Sequence, residues 1–269
     1  MKVVDLTHPW SIHTPGWTGY PGPKLYYTQN FHTQRIVSQA IETALHVGTH
    51  IDAEMHGSDG GADIASVPLA RLIHEGVVAD IRDEVEDWSI ITPEMITSKV
   101  DVKPGDVLII FTGYRDYYAG MPKQDISRYM NMHPGPGMEL CNWMEEMELS
   151  WWGIDCGSGD HPMWTSIRYM RKDLCAQFEK KVGMPVEEFF PPFTYEARSE
   201  RIVEETLWPA HYKLFKKGII HAENVGGDLE KVANQRCVVG AFPWKLVGGE
   251  ASICRILAFL EAPEDITFI

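Results

Sequence analysis

The chain has few basic residues, no long apolar run and no signal-peptide pattern at its start. Its 24 basic against 38 acidic residues give a formal charge of −14, which repels polyanions and leaves no basic stripe for a nucleic acid. No apolar stretch approaches the roughly 18 residues that span a bilayer. We therefore expect a soluble, cytoplasmic protein that binds neither nucleic acid nor membranes.

Three motifs that would define other chemistries are also absent. The sequence has no G-x-S-x-G elbow for a nucleophilic serine and no H-E-x-x-H metalloprotease helix. Its five cysteines are odd in number and show no C-x-x-C spacing, so they suggest neither a disulfide framework nor a thiolate zinc site. These reduced thiols are Cys141, Cys156, Cys175, Cys237 and Cys254.

The pattern of the chain favours one large domain over residues 1–269. With 44% hydrophobic residues, the chain is long enough to bury a large core, and no linker or repeat divides it. The apolar run Val107–Phe111 follows a Pro-Gly turn and predicts a strand buried on both faces. Residues 207–218 predict a helix that ends at Gly218, and residues 219–223 predict the strand after it.

Other segments carry weaker signals. Residues 35–46 are apolar without a clear period, which favours one or two buried strands. Residues 115–138 and 170–205 are long and irregular, which indicates lids or subunit arms. Several aromatic residues are candidates to line a pocket for a planar ring, although any single one is more often a core residue: Trp10, Trp17, Tyr20, Tyr114, Tyr117, Trp164 and Trp208.

Metal-ligand side chains are concentrated in one short segment. It contains His46, His50, Asp52 and His56 around Gly48. Imidazole together with carboxylate suits zinc, manganese or iron(II) better than calcium or magnesium. On a strand, the first three of these side chains would share one face because successive residues alternate. A short extended loop would bring them together equally well.

The remaining polar candidates are less specific. His56 follows the cluster and is interpreted as a base beside the metal, whereas Glu54 is equally well a solvated carboxylate. The pair His211 and Glu223 lies on either side of a predicted helix-to-strand turn, and such a pair alone often occurs by chance. Residues 155–162 follow a predicted buried strand, where sheet proteins often carry binding groups, but a plain polar loop explains them equally well.

These residues resemble the metal-dependent cyclase/hydrolase family that includes bacterial kynurenine formamidase and isatin hydrolase. That family carries a pattern close to H-x-G-T-H-x-D-x-P-x-H-F. Residues 46–57 match it, except that Glu54 and Gly57 replace the proline and the phenylalanine. The family also places a histidine and a glutamate twelve residues apart, as His211 and Glu223 are here. Two separated motifs with matching spacing make the resemblance specific.

The resemblance implies a compact α/β fold around a mixed sheet, the swivelling β/β/α type of the cyclase family, assembled as a homodimer or homotetramer. It also implies a small-molecule substrate and one or two zinc or manganese ions per chain. The implied site residues are three metal ligands, two residues that hold a second metal or surround the first, and a general acid or base: His46, His50, Asp52, His211, Glu223 and His56.

The chemistry that fits such a site is hydrolysis of a C–N bond in an amide, formamide or cyclic amide by metal-activated water. His56 would carry the proton to the leaving nitrogen. Hydrolysis of an ester or lactone is an alternative at the same site. Two other classes also stay open: a lyase or dehydrating cyclase, in which no water adds, and a metal-binding protein without activity.

Overall fold

The structure, a computed structural model, describes residues 1–261. Its strands are β1 (Lys2–Asp5), β2 (Lys24–Gln29), β3 (Ser38–Glu42), β4 (His50–Asp52), β5 (Ile73–Asp80), β6 (Ile90–Ile91), β7 (Val107–Phe111), β8 (Gly135–Pro136), β9 (Trp151–Ile154), β10 (Phe193–Glu196), β11 (Ile202–Glu205), β12 (Ile220–Glu223), β13 (Arg236–Pro243) and β14 (Ala251–Leu260).

The helices are mostly short and lie outside the sheet. They are α1 (Phe31–Gln34), α2 (Glu54–Gly57), α3 (Leu69–Leu72), α4 (Pro93–Thr97), α5 (Ile126–Asn131), α6 (Met138–Glu146), α7 (Ile167–Met170), α8 (Lys172–Val182), α9 (Val186–Phe189) and α10 (Pro209–Lys216). Within residues 1–261, none of them has the length and apolar character needed to cross a bilayer.

Seven strands close into a mixed barrel. Their order is β14-β13-β5-β7-β9-β12-β4, and β4 pairs back with the first part of β14. β1 pairs with the last part of β14. The contacts β5–β7, β7–β9 and β9–β12 are parallel, and the other contacts in the barrel are antiparallel. The α/β fold around a mixed sheet that the sequence predicts is confirmed.

The strand β7 shows why the barrel has two apolar layers. All five of its side chains are buried, and they alternate between the two faces of the sheet. Val107, Ile109 and Phe111 belong to the cluster inside the barrel, whereas Leu108 and Ile110 belong to the layer under the outer helices. Burying each such side chain contributes about 1.5–3 kcal/mol, so this strand anchors both layers.

The closing strands of the barrel bring distant residues together. In the antiparallel pair of β12 and β4, Glu223 lies opposite His50. In the pair of β4 and β14, Ala251 lies opposite Asp52. The backbone N–H of Ala53 donates to the carbonyl of Glu250 at 2.9 Å. Closure of the barrel therefore brings residues from three parts of the sequence to one place.

A strand is confirmed within residues 35–46, where β3 forms, but the prediction that it is buried is wrong. β3 forms an exposed two-stranded ribbon with β2, and within the described residues neither strand joins the barrel. The segment is apolar because the ribbon carries exposed apolar side chains, which periodicity alone does not distinguish from buried ones. They are Leu25, Tyr26, Tyr27, Phe31, Ile36, Val37 and Ile41.

The prediction of irregular structure is confirmed for most of residues 115–138 but is wrong for residues 170–205. The first segment contains α5 and the second contains α8 and the hairpin of β10 and β11. α8 buries only Leu174 and Phe178, four residues apart, and ends at Gly183 in the left-handed conformation. Two apolar residues are a narrow stripe for an eleven-residue helix, so the periodic signal is weak.

The exposed apolar side chains of the ribbon formed by β2 and β3 offer a test of the expected homo-oligomer. Contiguous exposed apolar surface marks interaction sites, and the ribbon carries Lys24 and Arg35 against Glu42, a formal charge of +1 in a chain of −14. The acidic surface of a second copy of the chain would therefore complement the charge of the ribbon. We expect light scattering to give a multiple of 30.5 kDa, and the double change Tyr27→Ser and Phe31→Ser to reduce the mass to that of one chain.

Val247, which is 85% exposed, offers the matched control, because Val247→Ser removes an exposed apolar side chain outside the ribbon. The wild type at the mass of one chain would contradict the expectation. A double variant that kept the oligomer intact would show that the ribbon is not its interface.

Candidate metal centre

Two main groups of metal-ligand atoms lie side by side at the closing strands, and a third, smaller group of His46, His56 and Glu250 adjoins the first. The first contains His46, His50, Asp52 and Glu223, and the second contains Asp52, His211, His221 and Glu223. In each group the atoms lie within 4.8 Å of one another. The structure thus brings together all five residues that the sequence suggests as ligands, and adds His221.

Asp52 and Glu223 divide their oxygens between the two groups. Asp52 Oδ1 is 3.1 Å from His46 Nδ1 and 3.3 Å from His50 Nε2. Asp52 Oδ2 is 3.7 Å from His211 Nε2 and 3.5 Å from His221 Nε2. Glu223 Oε2 lies 3.4 Å from His50 Nε2, while its Oε1 lies 3.2 Å from His221 Nε2. Each group therefore has two imidazole nitrogens and two carboxylate oxygens.

The interpretation of residues 46–52 as one strand face is wrong. β4 begins only at His50, and Gly48 adopts φ +72°, a left-handed conformation that glycine tolerates best. A Cβ at Gly48 would lie 2.9 Å from Thr14 Cγ2. His46 therefore reaches the site from a loop, which was the alternative reading of the sequence.

His221 is the residue that the sequence reasoning missed among these groups. It lies two positions before Glu223 on β12, so the alternation of a strand puts both side chains on one face. The same alternation, applied to residues 219–223, would have indicated it. His221 is fully buried and stacks on Phe215, with the ring centres 4.8 Å apart.

The outer nitrogens of three histidines are held by acceptors. His50 Nδ1 lies 2.7 Å from the carbonyl of Gly48, His46 Nε2 lies 2.6 Å from Glu250 Oε2, and His211 Nδ1 lies 2.6 Å from Asp160 Oδ2. Each outer N–H donates to its acceptor, so the inner nitrogen is the one that would bind a metal once it carries no proton. Such contacts fix the tautomer and orientation of metal-binding histidines.

The donor set fits a divalent cation. Both carboxylate oxygens of Asp52 are buried and have no hydrogen-bond partner, although histidine nitrogens surround them. A buried carboxylate without partners is costly, and a bound cation removes that cost. Mixed imidazole and carboxylate ligands suit zinc or manganese.

The charges of the cluster are strongly interdependent. Burial alone would lower the pKa of His46, but Asp52 and then Glu250 outweigh it and raise the pKa to about 11. Burial is likewise outweighed at His50, where Asp52 and Glu223 raise the pKa to about 9. Although burial raises the pKa of the Asp52 carboxyl, His46 and His56 hold it well below its usual range. The carboxylates therefore attract positive charge.

His56, the expected acid or base, lies beside the first group. It belongs to α2, and its Nδ1 is 3.0 Å from Glu250 Oε2, the same oxygen that holds His46. Glu250 was not predicted, because it lies 204 residues from His46 and belongs to no local motif. The two histidines lower the pKa of Glu250 to about 2 against the effect of burial, so it is a carboxylate that links them.

A cavity of about 300 Å³ opens onto both groups. Three of the aromatic candidates, Trp17, Tyr20 and Trp208, line it together with Tyr212. Tyr114 and Trp164 instead pack in the core. The aromatic walls and the histidines suit a flat, partly polar small molecule. The further polar lining is Ser158, Ser166, His56, His211 and Glu223.

The other polar candidates have structural contacts. Asp155 accepts hydrogen bonds from the backbone and hydroxyl of Thr112 and from the backbone of Gly113. His161 contacts the carbonyl of Trp88 at 3.1 Å and packs against aromatic rings. Glu54 pairs with arginines outside the metal groups. Of residues 155–162, Ser158 faces the cavity and Asp160 holds His211.

Comparison with protein families identifies the class of the chain. The model of the putative cyclase family matches residues 4–161, which is more than half of the chain, so the protein belongs to this family. A curated relative, a kynurenine formamidase from Sphingopyxis alaskensis, is 30% identical over 102 residues. That stretch covers 33% of this chain and 46% of the relative, so less than half of the relative's length is matched.

Solved structures share the fold over nearly the whole chain. An isatin hydrolase bound to the product analogue thioisatinate has a TM-score of 0.72 at 18% identity and covers 96% of this chain and 92% of its own. A potential metal-dependent hydrolase with cyclase activity has a TM-score of 0.64 at 23% identity and covers 97% and 99%. The resemblance inferred from the sequence motifs is confirmed at the level of family and fold.

Metal binding at this cluster should release protons. His46 and His50 have raised pKa values and carry protons at about pH 7.5 without a metal, whereas ligands must be neutral. We expect about two protons per chain to leave at this pH, so affinity rises with pH until both histidines are neutral, at about pH 11. Calorimetric titration with zinc or manganese in buffers of different ionisation enthalpy measures this release.

The variant His46→Gln should release about one proton fewer, because it removes the more basic of the two groups. A binding enthalpy that did not change with the buffer would contradict the expectation.

Proposed function

We propose that this protein is a metal-dependent hydrolase that cleaves a C–N bond of an amide, formamide or cyclic amide, with His56 as general acid and base. The observation that carries the proposal is the buried, unpartnered carboxylate of Asp52 among inward-facing histidine nitrogens. This ligand cluster opens into an aromatic cavity beside a histidine that is not in either main group. Family membership supports the same class of chemistry.

The parts of the site have separable tasks. A divalent metal held by His46, His50, Asp52 and Glu223 would lower the pKa of a water ligand towards about 7 and polarise a carbonyl group. Trp17 and Trp208 provide flat apolar walls for the substrate. These walls orient the scissile group and exclude bulk water.

His56 is placed to move a proton. Its Nδ1 lies 3.0 Å from Glu250 Oε2, which leaves Nε2 as the nitrogen that exchanges a proton. His56 lines the cavity, so it takes a proton from attacking water and returns it to the leaving nitrogen. Glu250 holds the imidazole in this orientation, in the way that a carboxylate orients a catalytic histidine.

The competing reactions differ in the mass of the product. A hydrolase adds one water, whereas a lyase or dehydrating cyclase releases water or leaves the mass unchanged. An ester or lactone hydrolase would use the same groups but would not need to protonate a nitrogen leaving group. The position of His56 beside the ligand cluster favours a reaction with a basic leaving group.

The first experiment is an assay with an aryl formamide and a panel of cyclic amides, using protein purified without chelators. We expect metal in the protein by elemental mass spectrometry and a product heavier by one water. His56→Gln should lower kcat by about 10²–10⁴-fold because the proton relay is lost, with the metal content retained. His74→Gln, a change at an exposed histidine on β5, is the control.

Products without added water would contradict hydrolysis and indicate a lyase or cyclase reaction instead. Protein that contained no metal and stayed inactive after reconstitution with metal would contradict the proposed mechanism.

We further propose that the site holds two metals and that His221 is a ligand of the second. The division of Asp52 and Glu223 oxygens between two sets of imidazoles supports bridging by both carboxylates. Asp52 and Glu223 would each offer one oxygen to either ion, and two ions together would stabilise both the attacking and the leaving group of the reaction. In the alternative, His221 Nε2 only donates a hydrogen bond to Glu223 Oε1.

The substitution His221→Phe separates these roles. Phenylalanine keeps the stacking on Phe215 but cannot bind a metal, so we expect the metal content to fall from two ions per chain to one. Loss of magnetic coupling between two manganese ions in electron paramagnetic resonance gives a second readout. His161→Phe changes another buried histidine outside both groups and should keep two ions. Two ions in His221→Phe would contradict the assignment.

A further inference from the structure

The third group of ligand atoms, formed by His46, His56 and Glu250, lies at the edge of the cavity. It differs from the two main groups in its access to solvent. The side chains of His56 and Glu250 are 25% and 37% exposed, whereas His50 and Asp52 in the first main group are fully buried. An ion from solvent can therefore reach the third group, and leave it again, without any opening of the barrel.

One carboxylate oxygen is the centre of this group. Glu250 Oε2 lies 2.6 Å from His46 Nε2 and 3.0 Å from His56 Nδ1, and the centres of the two imidazole rings are 4.2 Å apart. Both contacts are hydrogen bonds in which a proton lies between nitrogen and oxygen. A divalent ion at the same place would take the lone pairs of both nitrogens and displace their protons to solvent.

The donor set is one that zinc commonly uses. Two imidazole nitrogens and one carboxylate oxygen form the protein part of zinc sites that leave a fourth position to water. Donor atoms in a tetrahedral zinc site are about 3.3 Å apart, because each lies about 2.0–2.1 Å from the metal. The separations of 2.6 and 3.0 Å are slightly shorter than this. A small rotation of the partly exposed His56 and Glu250 side chains would therefore accommodate the ion.

His46 is shared between this group and the first main group. Its Nδ1 faces Asp52 Oδ1 at 3.1 Å, and its Nε2 faces Glu250. An ion in each group would be bridged by the same imidazole ring, which must then give up both of its ring protons. The cost of removing the second proton makes the third group weaker than the main groups. We expect it to fill only after they are filled, at a higher metal concentration.

An ion in the third group would change the proton chemistry of His56. Proton transfer in the proposed reaction requires Nε2 to accept a proton while Nδ1 faces Glu250. When Nδ1 binds a metal, the neutral ring keeps its single proton on Nε2. That nitrogen then has no lone pair for a proton from water. The ion would stop proton transfer without displacing a ligand of the main groups.

We propose that the third group is an inhibitory metal site, at which a zinc ion bound by His46, His56 and Glu250 blocks proton transfer by His56. This inference rests on the proposed hydrolase function and adds regulation by metal concentration to the same site. The formal charge of −14 on the chain raises the concentration of cations near its surface and favours occupation of such an exposed group.

The test titrates the metal-loaded protein with zinc, with the free concentration fixed by a metal buffer. Bound ions are counted by equilibrium dialysis and elemental mass spectrometry, and kcat is measured with an aryl formamide. We expect one ion beyond those of the main groups to bind in the micromolar range and kcat to fall by at least about tenfold as it binds, because general acid–base catalysis is lost. A weak chelator that removes only this ion should restore kcat.

Three variants locate the additional ion. Glu250→Gln keeps an acceptor for both histidines but removes the charged ligand. Loss of an orienting partner alone costs about 10–100-fold in metal affinity, so loss of this ligand should weaken the additional ion at least as much. Glu187→Gln, a change at an exposed carboxylate on α9, should bind it as the wild type does. His221→Phe should lose an ion from the main groups and still bind the inhibitory one.

The outcomes separate the inhibitory site from the proposed function. A wild type that binds no additional ion, or a Glu250→Gln variant that binds it unchanged, would overturn the inference. An additional ion at Glu250 that leaves kcat unchanged would also overturn it, since His56 would then still transfer protons. An additional ion that Glu250→Gln loses, in protein that hydrolyses no compound, would support the metal site and contradict the proposed function.

Discussion

The buried carboxylate of Asp52 is the constraint on which the site depends. It lies inside a closed barrel, where water cannot satisfy it, and removing an ion from water costs several kcal/mol. Both of its oxygens face histidine nitrogens without forming hydrogen bonds. Without a metal, protons on His46 and His50 balance this charge, and a bound cation would take their place. The barrel contributes by keeping β4 between β12 and β14.

The histidines around this carboxylate are oriented by acceptors from unrelated parts of the chain. The carbonyl of Gly48 belongs to the same loop, Asp160 follows β9, and Glu250 precedes β14. Asp160 also accepts from the backbone N–H of Ala210 at 2.8 Å, so one carboxylate fixes both the start of α10 and the ring of His211. The hydrogen bonds of Asp160 therefore orient the ligand His211 and hold the first turn of α10 at the same time.

The sequence reveals the site residues that lie close together in the chain or that match a motif with fixed spacing. His46, His50 and Asp52 are close in sequence, and the spacing of His211 and Glu223 matches the family. His221 was accessible through strand alternation. Glu250 was not, because only closure of the barrel brings β14 beside β4. The apolar ribbon was misread as buried for a related reason, since composition records apolar character but not whether a neighbour covers it.

The metal-ligand groups and the cavity beyond His56 lie largely on different elements of this fold. The metal groups sit on β4, β12 and the start of α10, which packing and hydrogen bonds hold in place. A neighbouring cavity of about 490 Å³ is built mainly from residues 55–61 and the hairpin of β10 and β11, which contribute no atom to the two main groups. Gly57 nevertheless couples the two regions, because a Cβ there would lie 2.8 Å from the ring of Phe215 and 3.2 Å from the Cβ of the ligand His211. The two cavities share His56, Gly57 and Tyr212, so a change at any of these three positions alters the space next to the ligands as well as the space beyond His56.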